Sequence, residues 1–197
     1  MNEAANIIHL LKRGDVEQKE EAVKAASLYV YDRSYFPEAF SLLIELLEQE
    51  ITPKMAEEAA WALWKFKDAK AIPVLLKKAK EAKTIGVREK SIRALGLLES
   101  MEALPLLREL ALGGLKAPAS LRVAAIAALG HYRDADLISL LSTRLKDKNE
   151  GVCKEALASL KRFLRRDPKN FPLKILKKMQ RFESKKSFWR FLWPMKP

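Results

Sequence analysis

Leucines return along this chain at the spacing of helical hairpins. One set falls at Leu63, Leu95, Leu129 and Leu160, at steps of 32, 34 and 31 residues, each preceded by alanine or serine. A second set falls at Leu43, Leu75, Leu107 and Leu140, within apolar blocks at 39–43, 71–75, 103–107 and 136–140. Two helix-length segments per period of this size predict a stack of helical hairpins, each burying its apolar stripe against its neighbours. Helices are predicted over residues 2–13, from a cap at Asp15 through Val30, and over 35–50, where Phe36, Phe40, Leu43, Leu46 and Leu47 share a face. Thr52-Pro53 pairs a capping residue with a proline suited to the first helical position, followed by Ala59, Ala60, Leu63 and Phe66. Further helices carry Ile72 to Leu76, Val87 to Leu98, Leu104 to Leu112, Leu121 to Leu129 and Leu137 to Leu145, with breaks at Gly86 and Gly113-Gly114. Val152 to Arg166 ends at Asp167-Pro168, and a last amphipathic helix is predicted over 171–182. No segment alternates in the manner of a strand. The expected fold class is all-α, a right-handed α-solenoid of about five antiparallel helical hairpins. It would occupy residues 1–183, leaving a basic and aromatic tail at 184–197.

Charge changes the picture more than composition does. A 49% hydrophobic content is that of a folded protein, and the single cysteine, Cys153, excludes an internal disulfide and suits a reducing compartment. Residues 1–12 lack a secretory pattern, and no run approaches the ~20 apolar residues of a membrane span, so a cytoplasmic protein is expected. The net charge of +12 is unevenly spread: −5 over residues 1–50, +6 over 51–160 and +11 over 161–197. In a solenoid, order in sequence becomes order in space, so one end would be acidic and the other strongly basic.

The repeats carry a family signature. Val87-Arg88 with Ala94-Leu95-Gly96, and Leu121-Arg122 with Ala124-Ala125 and Ala128-Leu129-Gly130, resemble the short HEAT repeats of the phycobilisome-lyase-like family. Met55-Ala56 and Val152-Cys153-Lys154 are degenerate copies, and the resemblance spans residues 53–165. It implies a HEAT-like, armadillo-like fold and a binding role. It does not carry lyase activity over, because fold alone does not transfer function.

The chemistry-bearing residues are sparse. His9 and His131 lack the neighbouring glutamates of iron-binding HEAT hydroxylases, and one cysteine with two distant histidines cannot hold zinc. No phosphate loop or nucleophile elbow is present. Trp61, Trp64 and Asp68 could be pictured as the aromatic-and-carboxylate set of a HEAT-like alkyl-base glycosylase, but tryptophans at helical spacing belong first to a core. Arg88 and Arg122 open successive repeats at one position, as phosphate ligands or as a structural ladder; the family pattern favours the ladder. The expectation is accordingly no enzyme, no cofactor, no metal and no small-molecule substrate.

The carboxyl end is where recognition is expected. Lys174, Lys177, Lys178 and Arg181 line the last helix, and Lys185, Lys186, Phe188, Trp189, Arg190, Phe191 and Trp193 crowd the segment after it. Three readings compete for that segment: a cap over the last repeat, an arm that docks on a protein or an anionic membrane, and a nucleic-acid grip in which cations meet phosphates and rings stack on bases. The expected function is a non-enzymatic interaction scaffold for an acidic macromolecule, most readily a protein. The alternative is a nucleic-acid-binding protein using the same basic end.

Overall fold

Local rules written into the sequence set the helix boundaries. The structure, a computed structural model, describes the backbone of residues 3–32 and 37–192, and the side chains of those residues apart from 30–32, 115 and 185–192. Among the described residues there is no strand; the α-helices are α1 (Glu3–Arg13), α2 (Val16–Asp32), α3 (Pro37–Gln49), α4 (Pro53–Leu63), α5 (Ile72–Glu81), α6 (Ile85–Leu97), α7 (Leu104–Leu112), α8 (Ala119–Leu129), α9 (Asp136–Arg144), α10 (Glu150–Arg166) and α11 (Leu173–Leu192). The fold class is thus the all-α solenoid class of helical hairpins. None of these helices is long and apolar enough to cross a membrane.

Side-chain caps begin the helices where hydroxyl, amide or carboxylate groups were placed. The Gln18 backbone N–H donates to Asp15 Oδ1 at 2.9 Å, while Gln18 Oε1 accepts from the Asp15 N–H at 3.1 Å, a reciprocal cap on α2. Thr52 accepts from the Met55 N–H at 3.1 Å, Thr84 from Val87 at 3.4 Å and Asn149 from Val152 at 3.2 Å. Gly86 is therefore not the break: Thr84 caps α6, and Gly86 lies in its first turn beside the Glu57 carboxylate. The α4 helix also stops earlier than its apolar pattern suggests. Residues 64–66 tighten into a 3-10 turn, and Lys67 at φ 53° closes it in the left-handed region.

The chain forms two compact units, Met1–Leu107 and Arg108–Pro197, with α7 straddling the boundary. In the first unit α2, α4 and α6 pack side by side as one layer, and α1, α3 and α5 form the other. Between the layers lie Leu43, Leu63, Leu75 and Leu95, all fully buried, with Ala59, Ala60 and Ala94 allowing close approach of the helices. Lys78 is not part of a solvated basic face. It is buried, and its Nζ bonds Glu50 Oε1 at 2.5 Å and the Glu48 carbonyl at 2.9 Å. Arg88 Nε donates to the Ala79 carbonyl in the last turn of α5.

In the second unit α8 packs on α10, and α9 packs on both α10 and α11. Leu129 and Leu160 are fully buried, but the second-helix register shifts at its fourth copy: Leu137 and Leu141 are buried, and Leu140 is only half-buried. Gly130 is required by close packing, since a Cβ there would lie 2.6 Å from Ser159 Oγ and 2.7 Å from Arg162 Nη1. That Ser159 hydroxyl donates to the Ile126 carbonyl at 3.0 Å, stitching α10 to α8. Arg122 holds the turn before α10, with Nη2 on Asp147 Oδ1 at 2.9 Å and Nη1 on the Ala117 carbonyl at 3.0 Å.

Candidate functional site

The last helix has two faces with different tasks. Phe171, just before α11, and Ile175 and Met179 within it are buried, with Phe182 half-buried; spacings of four, four and three residues keep them on one side. Lys174, Lys177, Lys178 and Arg181 are exposed on the other side. None of these four makes an ion pair or hydrogen bond among the described residues. Neighbouring cations already have partners. Arg162 is held by Glu155 and Ser159, Lys161 by Glu183 at 2.5 Å, and Arg166 Nη1 by the carbonyls of His131 and Tyr132. The basic content of residues 161–181 therefore divides into cations fixed by partners and a set that faces solvent.

Two of that set, Lys178 and Arg181, border a concavity. Ser142, Leu145 and Lys146, at the end of α9, together with Lys178, Arg181 and Phe182 of α11, enclose a cleft of ≈ 420 Å³. Leu145 is buried and Phe182 half-buried, so the floor is apolar, while Lys146, Lys178 and Arg181 are exposed at the rim. Nearby Arg144 is turned elsewhere, to the Leu112 carbonyl at 3.4 Å and to Asp147 at 3.9 Å. Burial pushes the Asp147 carboxyl upward, but the Asn149 N–H and the Arg122 guanidinium outweigh it and hold the group below its ordinary range. A charged Asp147 absorbs Arg122 and Arg144 and leaves Lys146 as the cation that the turn after α9 lends to the cleft. The sequence reading missed Lys146 and Leu145 as site residues; the basic character of 144–146 was legible, but not which of its two cations is free.

The other residues singled out from the sequence fall as follows. Lys185, Lys186, Phe188, Trp189, Arg190 and Phe191 lie on α11, whose backbone continues past the predicted end at 182 to Leu192, but their side chains are outside the described residues. Trp193 is outside the described residues altogether. Trp61 and Trp64 are half-buried rather than core; they meet edge to face at 5.6 Å, and Lys90 Nζ lies 5.3 Å from the Trp61 ring. Asp68 accepts from the Lys70 N–H at 2.9 Å and caps the 3-10 turn Ala69–Ala71.

With hairpins, caps and cleft in place, the class of the fold can be stated. Residues 40–119 match the family model of HEAT repeats, which bears out the resemblance read from the repeat motifs. Among solved structures, the chain is similar to the complex of CpcE and CpcF of phycocyanin lyase from Nostoc sp. PCC7120, at 24% identity and a TM-score of 0.67, over 81% of this chain and 64% of that one. It spans less than two thirds of that lyase chain. It is also similar to an engineered protein solved by the Northeast Structural Genomics Consortium, at 19% identity and a TM-score of 0.59, over 95% of this chain and 98% of that one. No curated protein matches the sequence. At these identities the likeness is one of fold.

One expectation is corrected by these findings. The chain is expected not to be an enzyme, from its sparse chemistry-bearing residues and the binding role that its repeats imply. The likeness to phycocyanin lyase overturns that argument, because the same hairpin fold there belongs to an enzyme. The fold therefore gives no ground for excluding catalysis.

Proposed function

We propose that this chain is a protein-binding HEAT-repeat subunit that docks an acidic segment of a partner protein in the α9–α11 cleft. The observation that carries the reading is the placing of Lys146, Lys178 and Arg181, without ion pair or hydrogen bond among the described residues, around an apolar floor of Leu145 and Phe182. Carboxylates of the partner would meet the three cations, and an apolar side chain would displace water from the floor; an anchored aliphatic or aromatic group at the centre supplies most of the affinity of such contacts. Lys174 and Lys177 extend the positive stripe along α11, and Lys185, Lys186, Phe188, Trp189, Arg190, Phe191 and Trp193 are proposed from the sequence alone as further partner-binding residues. HEAT repeats typically mediate protein contacts, and the phycocyanin lyase relative is itself a complex of two proteins.

The test uses a fluorescein-labelled peptide of glutamates and leucines, and a single-stranded oligonucleotide of equal length, titrated by anisotropy. The peptide is expected to bind, and the Lys178→Glu/Arg181→Glu variant to weaken it at least about tenfold through like-charge repulsion. Binding of the oligonucleotide alone, with affinity falling steeply as salt rises, would replace the protein reading with the nucleic-acid one. Equal peptide affinity for wild type and variant would remove the cleft from the account.

A further inference from the structure

A second cleft, of ≈ 490 Å³, opens at the other end of α9, and its chemistry differs from the first. Its floor is formed by Ile138, Phe163 and Phe171, each less than a tenth exposed. Two guanidinium groups border it. Arg166 is held in place: Nη1 donates to the His131 carbonyl at 3.0 Å and the Tyr132 carbonyl at 3.1 Å, and its guanidinium carbon lies 6.0 Å from the centre of the Phe163 ring. Its Nε and Nη2 make no hydrogen bond among the described residues. Arg133 is exposed and also without a hydrogen bond or ion pair among them. The acidic residue of the lining, Asp167, is turned to its neighbour: one oxygen accepts from the Asn170 backbone N–H at 3.2 Å and the other from Asn170 Nδ2 at 2.9 Å.

These groups specify a ligand by shape and charge. A volume in this range suits a small molecule or one large side chain, since ligand sites span roughly 300–1,000 Å³. The aromatic floor wants a flat or branched apolar body. A guanidinium that is already anchored loses little freedom on binding, and its remaining N–H groups match a planar carboxylate. Two cations against one carboxylate leave a single net positive charge, which balances a monoanion and not a dianionic phosphate.

We propose that this cleft binds a small amphipathic carboxylate, its apolar body lying on Ile138, Phe163 and Phe171 and its carboxylate on Arg133 and the unspent N–H groups of Arg166. This departs from the expectation of a purely macromolecular partner and stands independently of the α9–α11 reading. The same chemistry is offered by a free aryl carboxylate and by the terminal carboxylate of a chain ending in a large apolar residue.

Two probes with one ring system test it: N-acetyl-tryptophan, a carboxylate, and N-acetyl-tryptophanamide, which is neutral. The readout is the Ile138 methyl resonance of the full chain. N-acetyl-tryptophan is expected to shift it saturably, with the amide at least about tenfold weaker, as loss of a charge-assisted pair requires. Arg133→Gln should weaken the carboxylate by a similar factor and leave the amide unchanged. Arg166 ties down two carbonyls, so Arg133 carries the charge test, and Ala135→Trp on the exposed rim provides a blocking variant that should abolish binding of both probes. A tryptophan-terminated pentapeptide binding tighter than N-acetyl-tryptophan would point to a chain terminus, and equal affinity to a free carboxylate; either result supports the site. No shift at Ile138 with millimolar probe, or equal affinity for the two probes, would overturn the proposal.

Discussion

Lys78 shows how little a residue's type says about its task. It stands in sequence beside Lys77, Lys80 and Lys83, yet it is buried and bonded to Glu50 and to the Glu48 carbonyl. Glu50 is itself unusual, with φ 47° in the left-handed region after α3. Burial pushes its carboxyl upward, but the Lys78 ammonium, the Lys83 N–H and both lysine charges outweigh that and bring it below the ordinary glutamate value. A lowered carboxyl contributes stability above pH ~4.5, and that contribution disappears as pH falls through the lowered value. Lys78→Ala is expected to cost about 2–3 kcal/mol at neutral pH, because it strands a carboxylate and a carbonyl in a sparsely hydrated site. Urea unfolding of wild type and variant at pH 7 and pH 3 checks both parts: the gap should be large at pH 7 and shrink once Glu50 is protonated.

At the scale of elements, α11 is the one whose two faces can be separated by experiment. Met179 is 2% exposed, whereas Lys177 on the opposite side is exposed and has no ion pair or hydrogen bond among the described residues. Met179→Ala should destabilise the second unit by about 2–4 kcal/mol, from lost burial and an unfilled cavity. Lys177→Glu should leave thermal unfolding within about 0.5 kcal/mol of wild type, as surface changes do, while weakening the acidic peptide probe. Similar stability losses for both variants in differential scanning calorimetry would contradict the assignment of faces. The second-helix register tells the same story in α9. The repeat spacing pointed to Leu140, but the helix begins at Asp136 and turns Leu137 and Leu141 inward, one position along.

For the whole molecule, charge is the property that sequence position organises. Residues 1–107 carry 16 basic and 17 acidic side chains, and residues 108–197 carry 21 and 8, so the positive excess resides in the second unit. Among the described side chains, the contacts that seat α11 come from Phe171, Ile175, Met179 and Phe182, together with the Lys161–Glu183 pair. A chain ending at Glu183 should therefore melt within ~2 °C of the full chain, because it keeps those contacts. Its affinity for the acidic peptide should drop, since it loses Lys185, Lys186 and Arg190. A fall in melting temperature well beyond that margin would mean that the aromatic segment caps the last hairpin.

The hairpins were legible because their causes are local and periodic. Caps at Asp15 and Thr52, and buried leucines at 43, 63, 75, 95, 107, 129 and 160, follow from short-range hydrogen bonding and the 3.6-residue period, both of which a sequence displays directly. The positions of Lys174, Lys177, Lys178 and Arg181 on one helix face were equally readable. Tertiary structure alone decided which cations have partners. Arg162 and Lys78 are held by carboxylates 7 and 28 residues away, and Arg166 Nη1 is anchored on a carbonyl 35 residues away, while Lys146, Lys178 and Arg181 make no ion pair or hydrogen bond among the described residues. Two clefts at opposite ends of α9 likewise exist only once α9, α10 and α11 have packed. Sequence spacing specifies the face a side chain occupies, but its partner is fixed by which distant backbone and carboxylate groups folding brings within reach.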